Sequence, residues 1–419
     1  MLLAAMPGAA SASDFKVQRG TALLPNPSFE VTLSAGIDYV APSGPAFVRI
    51  INTRLSGTGR SVDGGKQDPD RWMVWLSDAS NLTTSFKISR DSSLDDNSVA
   101  WELIEYTGET FGVDEFSVRS IGTHVFSTDE LGRVSAVVPN VVDDSDVVVI
   151  ITGQAAASST DDEVNQGMIT AEWDGLQDQA VFQRGALGSD ANFSFAVVEF
   201  TGTNWTVERV SHTYSTAGIV ETETISLLQD IDLGFLHVQQ RAQGTSVDQQ
   251  GAEVWLSDAS TVSFLLESSA ATASGITSVA WVIENSGNSF RPLRVEHYSG
   301  SRASGFAEQD VWTNPVFAVV SIGQASVMGE TGRSEGTGQA GDDFPRGSIS
   351  LELSGVDQVT LTQSDSGAEQ NYRFSVVEWP DSQPESVPAL TTWGFAVAAL
   401  VLLCAAMLHL WVSRQYERG

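Results

Sequence analysis

Hydrophobic and polar positions alternate over short runs along most of the chain. Phe47-Val48-Arg49-Ile50-Ile51, Trp72–Leu76, Phe86-Lys87-Ile88, Val99–Tyr106 and Phe116-Ser117-Val118 are each rich in β-branched or aromatic residues. Gly, Ser, Asp and Asn separate them, so the pattern predicts short β-strands joined by turns. No run of twelve residues carries apolar positions at helical spacing before Trp393. After that point the pattern changes. Residues 393–412 (WGFAVAALVLLCAAMLHLWV) form an uninterrupted apolar run with no formal charge. At about 1.5 Å rise per residue, such a helix crosses the roughly 30 Å hydrocarbon layer of a membrane.

The strand pattern repeats. VWLSDAS at 74–80 recurs unchanged at 254–260, and SVAW at 98–101 recurs at 278–281, both at an offset of 180 residues. MITAEWDG (168–175) answers GSISLELSG (347–355), and NFSFAVVEF (192–200) answers NYRFSVVEW (371–379). The chain is therefore a duplicated block. Each block is itself doubled, since an apolar strand ends in a glutamate at Glu105, Glu199, Glu284 and Glu378, at spacings of 94, 85 and 94. Trp101 and Trp281 lie 180 residues apart, whereas Glu105 and Glu284 lie 179 apart. A one-residue slip reverses the faces of a strand, so a local β-bulge is expected to absorb it.

The expected fold class is all-β: tandem β-sandwich repeats of immunoglobulin-like size, followed by a single C-terminal transmembrane helix. Four repeats are drawn at 15–120 (A1), 121–212 (B1), 213–300 (A2) and 301–379 (B2), with two larger sandwiches as the alternative. Prolines 380, 384 and 388 stiffen a spacer over 380–392. Residues 1–14 read as a leader, with Ala10-Ser11-Ala12 similar to a signal-peptidase site.

At the C-terminal end, Trp393 and Trp411 suit the membrane interface, and Arg414 and Arg418 follow the apolar run while acidic residues precede it. The positive-inside tendency then puts the tail 413–419 in the cytoplasm. His409 reads as a neutral interfacial histidine. The segment Val387-Pro388-Ala389-Leu390-Thr391-Thr392-Trp393-Gly394, next to the apolar helix and its arginines, resembles the IPTL-CTERM sorting signal of Gram-negative bacteria. The resemblance covers about the last 33 residues, and its motif positions are Val387, Pro388, Leu390, Trp393 and Gly394. It implies export to the cell envelope or surface and processing by an exosortase-type membrane enzyme.

Charge sharpens the picture. The 419 residues carry 53 acidic against 22 basic side chains, a formal charge of −31, and only three lysines. Such a surface repels phosphate backbones, which excludes nucleic-acid binding as a main role. Cys404 is the only cysteine and lies in the apolar run, so no disulfide or cysteine-based metal site supports the repeats.

Few residues suggest chemistry. The polar segments 56–71, 156–167, 243–251 and 326–347 follow the same strand in each repeat and vary most, as binding loops do. Asp63, Asp68, Asp70, Asp161, Asp162, Asp342 and Asp343, with Glu163, are calcium candidates by their hard oxygen ligands, although no EF-hand spacing is present. Gly332-Arg333-Ser334-Glu335-Gly336 matches the G-x-S-x-G elbow of hydrolases, but it reads as a glycine-rich loop without the helix and downstream histidine that chemistry requires. The histidines at 124, 212, 237 and 297 are scattered, so no zinc-hydrolase spacing exists. The four repeated glutamates are expected to serve structure, since equivalent residues of separate repeats lie too far apart for a glycosidase pair. Asn81, Asn192 and Asn204 match a glycosylation pattern by chance.

Catalytic residues and cofactors are accordingly expected to be absent, calcium excepted. The reading is a non-enzymatic, exported, single-pass surface protein whose repeats serve structure, adhesion or matrix association. The alternatives are a polysaccharide-binding module and, last, an extracellular hydrolase. Partners on this reading are the membrane, the processing enzyme, and extracellular polysaccharide or other surface proteins.

Overall fold

The computed structural model describes residues 14–25, 28–33, 46–56, 74–78, 85–90, 96–108, 112–156, 164–216, 218–226, 228–243, 252–266, 275–287, 291–302, 310–319, 321–335, 349–363 and 369–381. All of them belong to one compact unit, Ser13–Ser382.

Six strands recur four times. Repeat A1 holds β1 (Phe15–Leu24), β2 (Glu30–Leu33), β3 (Ala46–Ser56), β4 (Trp75–Asp78), β5 (Phe86–Ser89) and β6 (Asp96–Tyr106). Repeat B1 holds β7 (Ser117–Phe126), β8 (Gly132–Val134), β9 (Val147–Ala156), β10 (Ile169–Asp174), β11 (Gln179–Arg184) and β12 (Ala191–Glu199). Repeat A2 holds β13 (Trp205–Thr213), β14 (Val220–Thr224), β15 (Gly234–Ala242), β16 (Ala252–Asp258), β17 (Thr261–Leu266) and β18 (Ile276–Asn285). Repeat B2 holds β19 (Arg294–Arg302), β20 (Asp310–Pro315), β21 (Ala325–Glu335), β22 (Ile349–Gly355), β23 (Gln358–Gln363) and β24 (Glu369–Glu378). The only α-helical piece among the described residues is the single turn Val164–Gly167.

Writing the six strands of any repeat as a to f, the same two antiparallel sheets form each time, a-f-c and b-e-d. The alternating pattern explains their stacking. In A1, Leu24, Val48, Val99, Trp101 and Leu103 from one sheet meet Leu76, Phe86 and Ile88 from the other. A2 and B2 build the same inner layer around Phe264 and around Phe374.

Strand f is central and buried on both faces, its outer face being turned to the other repeats. Boundaries drawn at 120/121 and 300/301 pass through β7 and β19, and 212/213 cuts off the last residue of β13. Strand a belongs with the residues after it, and the divisions fall at the linkers before β7, β13 and β19.

The expected bulge lies on strand c of A1 and not on strand f: β3 shifts register against β6 between Ile50 and Asn52, opposite Trp101 and Ala100, whereas β15 and β18 pair without a shift. Both β6 and β18 pair one-to-one with their strand a throughout. Trp101 therefore lies four residues before its glutamate and Trp281 three, which turns the two indoles to opposite faces. Trp101 packs edge-on to Phe86 inside A1, with ring centroids 5.1 Å apart, while Trp281 joins the core shared between repeats. Identical tetrapeptides thus build different layers, because the glutamate fixes the register and the tryptophan follows it.

Among the described residues no helix is long and apolar enough to cross a membrane. The segment 393–412, the tail, the sorting-motif positions Val387, Pro388, Leu390, Trp393 and Gly394, the interface residues Trp411, Arg414 and Arg418, and most of the leader lie outside the described residues.

Candidate functional site

The four repeats meet at the ends where chain passes from one to the next. Phe15 opens β1, Phe116 precedes β7, Trp205 opens β13, and Tyr106, Phe200 and Trp379 follow the f-strand glutamates. These residues form one aromatic hub. Ring centroids lie 5.9 Å apart for Phe15–Phe116, 6.1 Å for Phe116–Phe200 and 4.7 Å for Phe200–Trp205. Trp205–Trp379 at 6.3 Å and Trp379–Phe15 at 5.1 Å close the circuit. Each such pair contributes on the order of 1 kcal/mol beyond burial of its area.

From the hub, each repeat lays strand d against strand c of the next: β4 on β9, β10 on β15, β16 on β21, and β22 back on β3. The chain is therefore a closed cycle, A1–B1–A2–B2–A1. Each seam is held by different polar groups. At A1–B1, Val74 forms an antiparallel bridge with Gln154, and the Leu76 amide donates to Ser194 Oγ at 2.9 Å. At B1–A2, the Ala171 amide donates to Gln239 Oε1, and Gln239 Nε2 donates to the Val149 carbonyl, both at 2.6 Å. Arg209 pairs with Glu172 at 2.6 Å across the same seam. At A2–B2, Arg373 pairs with Glu253 at 2.8 Å and lies over the Trp255 ring at 4.0 Å.

The closing seam, B2–A1, is the most highly charged. Glu102, fully buried, accepts from Arg49 at 2.8 Å and from Arg19 at 3.4 Å. Both guanidinium groups also donate to the open edge of B2: Arg19 to the carbonyls of Ile322 and Ala325, Arg49 to that of Val327. The Val327 amide returns a bond to Glu102 at 3.3 Å. The free edge of β21 is thus paired by side chains instead of another strand, which satisfies the backbone and blocks further strand addition there.

The repeated glutamates have an assigned task in two repeats. Glu199 accepts from Arg119 at 2.5 Å and from the amides of Val142 and Asp143 at 2.8 and 2.7 Å. Glu284 accepts from the Gln229 amide at 2.6 Å and from Thr206 Oγ1 at 3.3 Å. Each carboxylate secures the loop entering strand c, just before a 3-10 turn at Asp144–Asp146 or Ile231–Leu233. Glu105 and Glu378 are buried at the equivalent positions.

Two ionisable groups near these loops are displaced from their ordinary ranges. Burial pushes the Asp146 carboxyl up to about 6, helped by the charges of Asp143 and Glu199. His237 keeps some accessible surface, but it sits deep between the repeats, and burial pushes its pKa down to about 3 with the Arg49 charge adding to the effect. The Gln239 amide nitrogen, 3.1 Å away, can only donate, so His237 Nε2 accepts.

The remaining sequence candidates divide in two. The calcium candidates Asp63, Asp68, Asp70, Asp161, Asp162, Asp342 and Asp343, with Glu163, lie outside the described residues. No group of three metal-ligating side chains occurs among the described residues. Residues 332–335 of the G-x-S-x-G match lie in β21, where Ser334 pairs with Gln370, and not in a loop. A serine inside a paired strand lacks the strand-to-helix turn that exposes a nucleophile. His124, His212 and His297 are apart from one another: His124 stacks among Phe182, Phe193 and Phe195, His212 bridges Glu221 and Glu223, and His297 meets Ser375.

Sequence reasoning missed the seam residues Arg19, Arg49, Glu102, Arg209, Gln239 and Arg373. Their only signal is a charged or amide group at an alternate position of an otherwise apolar strand. No protein-family model matches the chain, and no curated protein matches it.

Proposed function

We propose that the protein is a non-enzymatic bacterial surface protein built on a cycle of β-sandwiches, with the c–d connections as its contact segments. One observation carries this reading. In each repeat, strand c begins beside the hub-end glutamate and finishes at the start of strand f, so every c–d connection leaves the end remote from the hub. In three repeats those connections carry most of the variable segment read from the sequence; in B2 residues 326–335 of it belong to β21, and only the part beyond them is a connection. Export and anchoring rest on the C-terminal resemblance and on the apolar run 393–412.

A polysaccharide-binding role is the second reading, favoured by four c–d connections that all leave strand ends remote from the hub. Against it, Trp101, Trp205, Trp281 and Trp379 are buried, and Trp255 is covered by Arg373.

Fractionation of the producing cells, with antibody against the β region, tests the first reading. Signal in the envelope, on the outer face, and lost when residues 387–419 are deleted is the expected result; retention of the intact chain in the cytoplasm overturns it. Saturable binding on a glycan panel, abolished by replacing one c–d connection, moves the second reading ahead.

A further inference from the structure

Strand b is an edge strand in every repeat, and among the described residues its main packing is within its own sandwich. Three of the four b strands carry devices that discourage strand addition. On β14, Glu221 and Glu223 alternate with Val220, Thr222 and Thr224, and His212 clamps both carboxylates at 2.8 and 2.9 Å. On β2, Glu30 pairs with Lys87 at 3.0 Å. β20 begins with Asp310 and ends with Pro315.

β8, three residues long, carries neither a carboxylate nor a proline. Its register with β11 (Val134 opposite Val181, Gly132 opposite Gln183), together with the Arg184-to-Leu131 and Ser135-to-Ala180 bonds, puts the ladder on the odd-numbered residues. The N–H and C=O groups of Gly132 and Val134 therefore point away from the sheet. Arg133, the one charge on the strand, is turned to Glu130 and to the Val125 carbonyl. Along this edge Leu131, Val134, Val137 and Leu187 are 46, 50, 63 and 47% exposed, the last brought alongside by the Gly188 amide bond to the Thr128 carbonyl. Acidic groups stand at both ends: Asp129 and Glu130 before β8, and Asp178, whose carbonyl takes the Val138 amide, after it.

We propose that the β8 edge of repeat B1 is a docking site for an extended peptide segment of alternating apolar and basic residues, which adds to the sheet as a fourth strand. Main-chain bonds to Gly132 and Val134 supply affinity, as in β-augmentation generally. Val134 receives the apolar side chains on one face of the added strand, and the flanking carboxylates select lysine or arginine on the other. A second copy of the chain is disfavoured as occupant by its own charge of −31. The proposal concerns the partner and holds whether or not the surface-display reading does.

The test uses the full chain and two labelled nonapeptides, one alternating valine with lysine and one alternating valine with glutamate, followed by fluorescence anisotropy and amide exchange. The lysine peptide is expected to bind saturably, at least tenfold more tightly than the glutamate peptide, and to protect the Gly132 and Val134 amides. Val134→Pro removes only an outward N–H, so the sandwich ladder survives, and it should weaken binding tenfold or more. Val134→Lys, which leaves the backbone edge intact but adds a like charge, should weaken it as well, and Thr222→Pro on β14 should not. Equal binding of both peptides, binding indifferent to both Val134 variants, or a chain dimer abolished by Val134→Pro would overturn the proposal.

Discussion

A single carboxylate can matter more to this molecule than its place at a strand end suggests. Glu199 is buried and balances one guanidinium and two loop amides, so Glu199→Ala leaves three donors without an acceptor. The expected cost is about 3–5 kcal/mol in urea unfolding, with Glu199→Gln intermediate because its amide oxygen still accepts. The two displaced pKa values give opposite pH slopes. Asp146 holds its proton more tightly folded than unfolded, so between about pH 4 and 6 the folded state binds more protons and stability falls as pH rises. Asp146→Asn should abolish that slope and raise stability at pH 7. His237 holds its proton less tightly folded than unfolded. Its contribution is present above about pH 6.5 and is lost as pH falls toward 3, and His237→Gln should flatten that limb. Melting temperature followed from pH 3 to 8 in both variants separates the two, and a slope that persists in its own variant refutes the assignment.

At the scale of elements, two repeated phrases had different fates. VWLSDAS builds strand d twice with the same irregularity, a bulge between Leu76 and Asp78 and again between Leu256 and Asp258. SVAW does not repeat its structure, because a tryptophan's face depends on its distance from the anchoring glutamate. Strand character, the fourfold recurrence and the fixed position of the glutamates were legible, since period-two alternation and spacing are local properties. The seams were not legible. The outward-facing cross-strand triplets are Arg19–Glu102–Arg49 in A1, Ile121–Ala196–Ile150 in B1, Arg209–Trp281–His237 in A2 and His297–Ser375–Met328 in B2. Four chemistries at one structural position leave no motif to find. One seam position does show a backbone constraint. A Cβ on Gly153 would lie 2.7 Å from the Val74 carbonyl and Trp75 Cα, backbone atoms of the neighbouring repeat. Gly153→Ala should therefore force β9 from β4, at about 1–3 kcal/mol, and speed exchange of the Leu76 amide; unchanged exchange would show that the seam yields without opening.

For the whole molecule, the different triplets explain how four similar sandwiches keep one order around the cycle. The charged triplet of A1 fits the open edge of β21, whereas the aliphatic triplet of B1 offers nothing to that edge. Closure then makes the two ends of the β region neighbours, since the Phe15 and Trp379 rings stack at 5.1 Å with their planes 16° apart. Trp379→Ala should cost about 3–5 kcal/mol and expose the first strand to proteolysis, because Phe15, Trp205 and Phe235 all lose the same partner. The stronger test is a circular permutant. Asp381 would be joined to Asp14 by a linker of about five residues, which spans roughly 15–18 Å, with new ends opened in the A2–B2 linker between Gly287 and Arg291. If the B2–A1 seam is a seam like the other three, the permutant keeps a single cooperative transition within a few degrees of the parent. Two separated transitions would mean instead that covalent order, and not the Arg19–Glu102–Arg49 cluster, holds the cycle shut. Arg49→Met in the permutant distinguishes the contributions further, since it removes the guanidinium from Glu102 and from β21 at once and should unfasten A1 first.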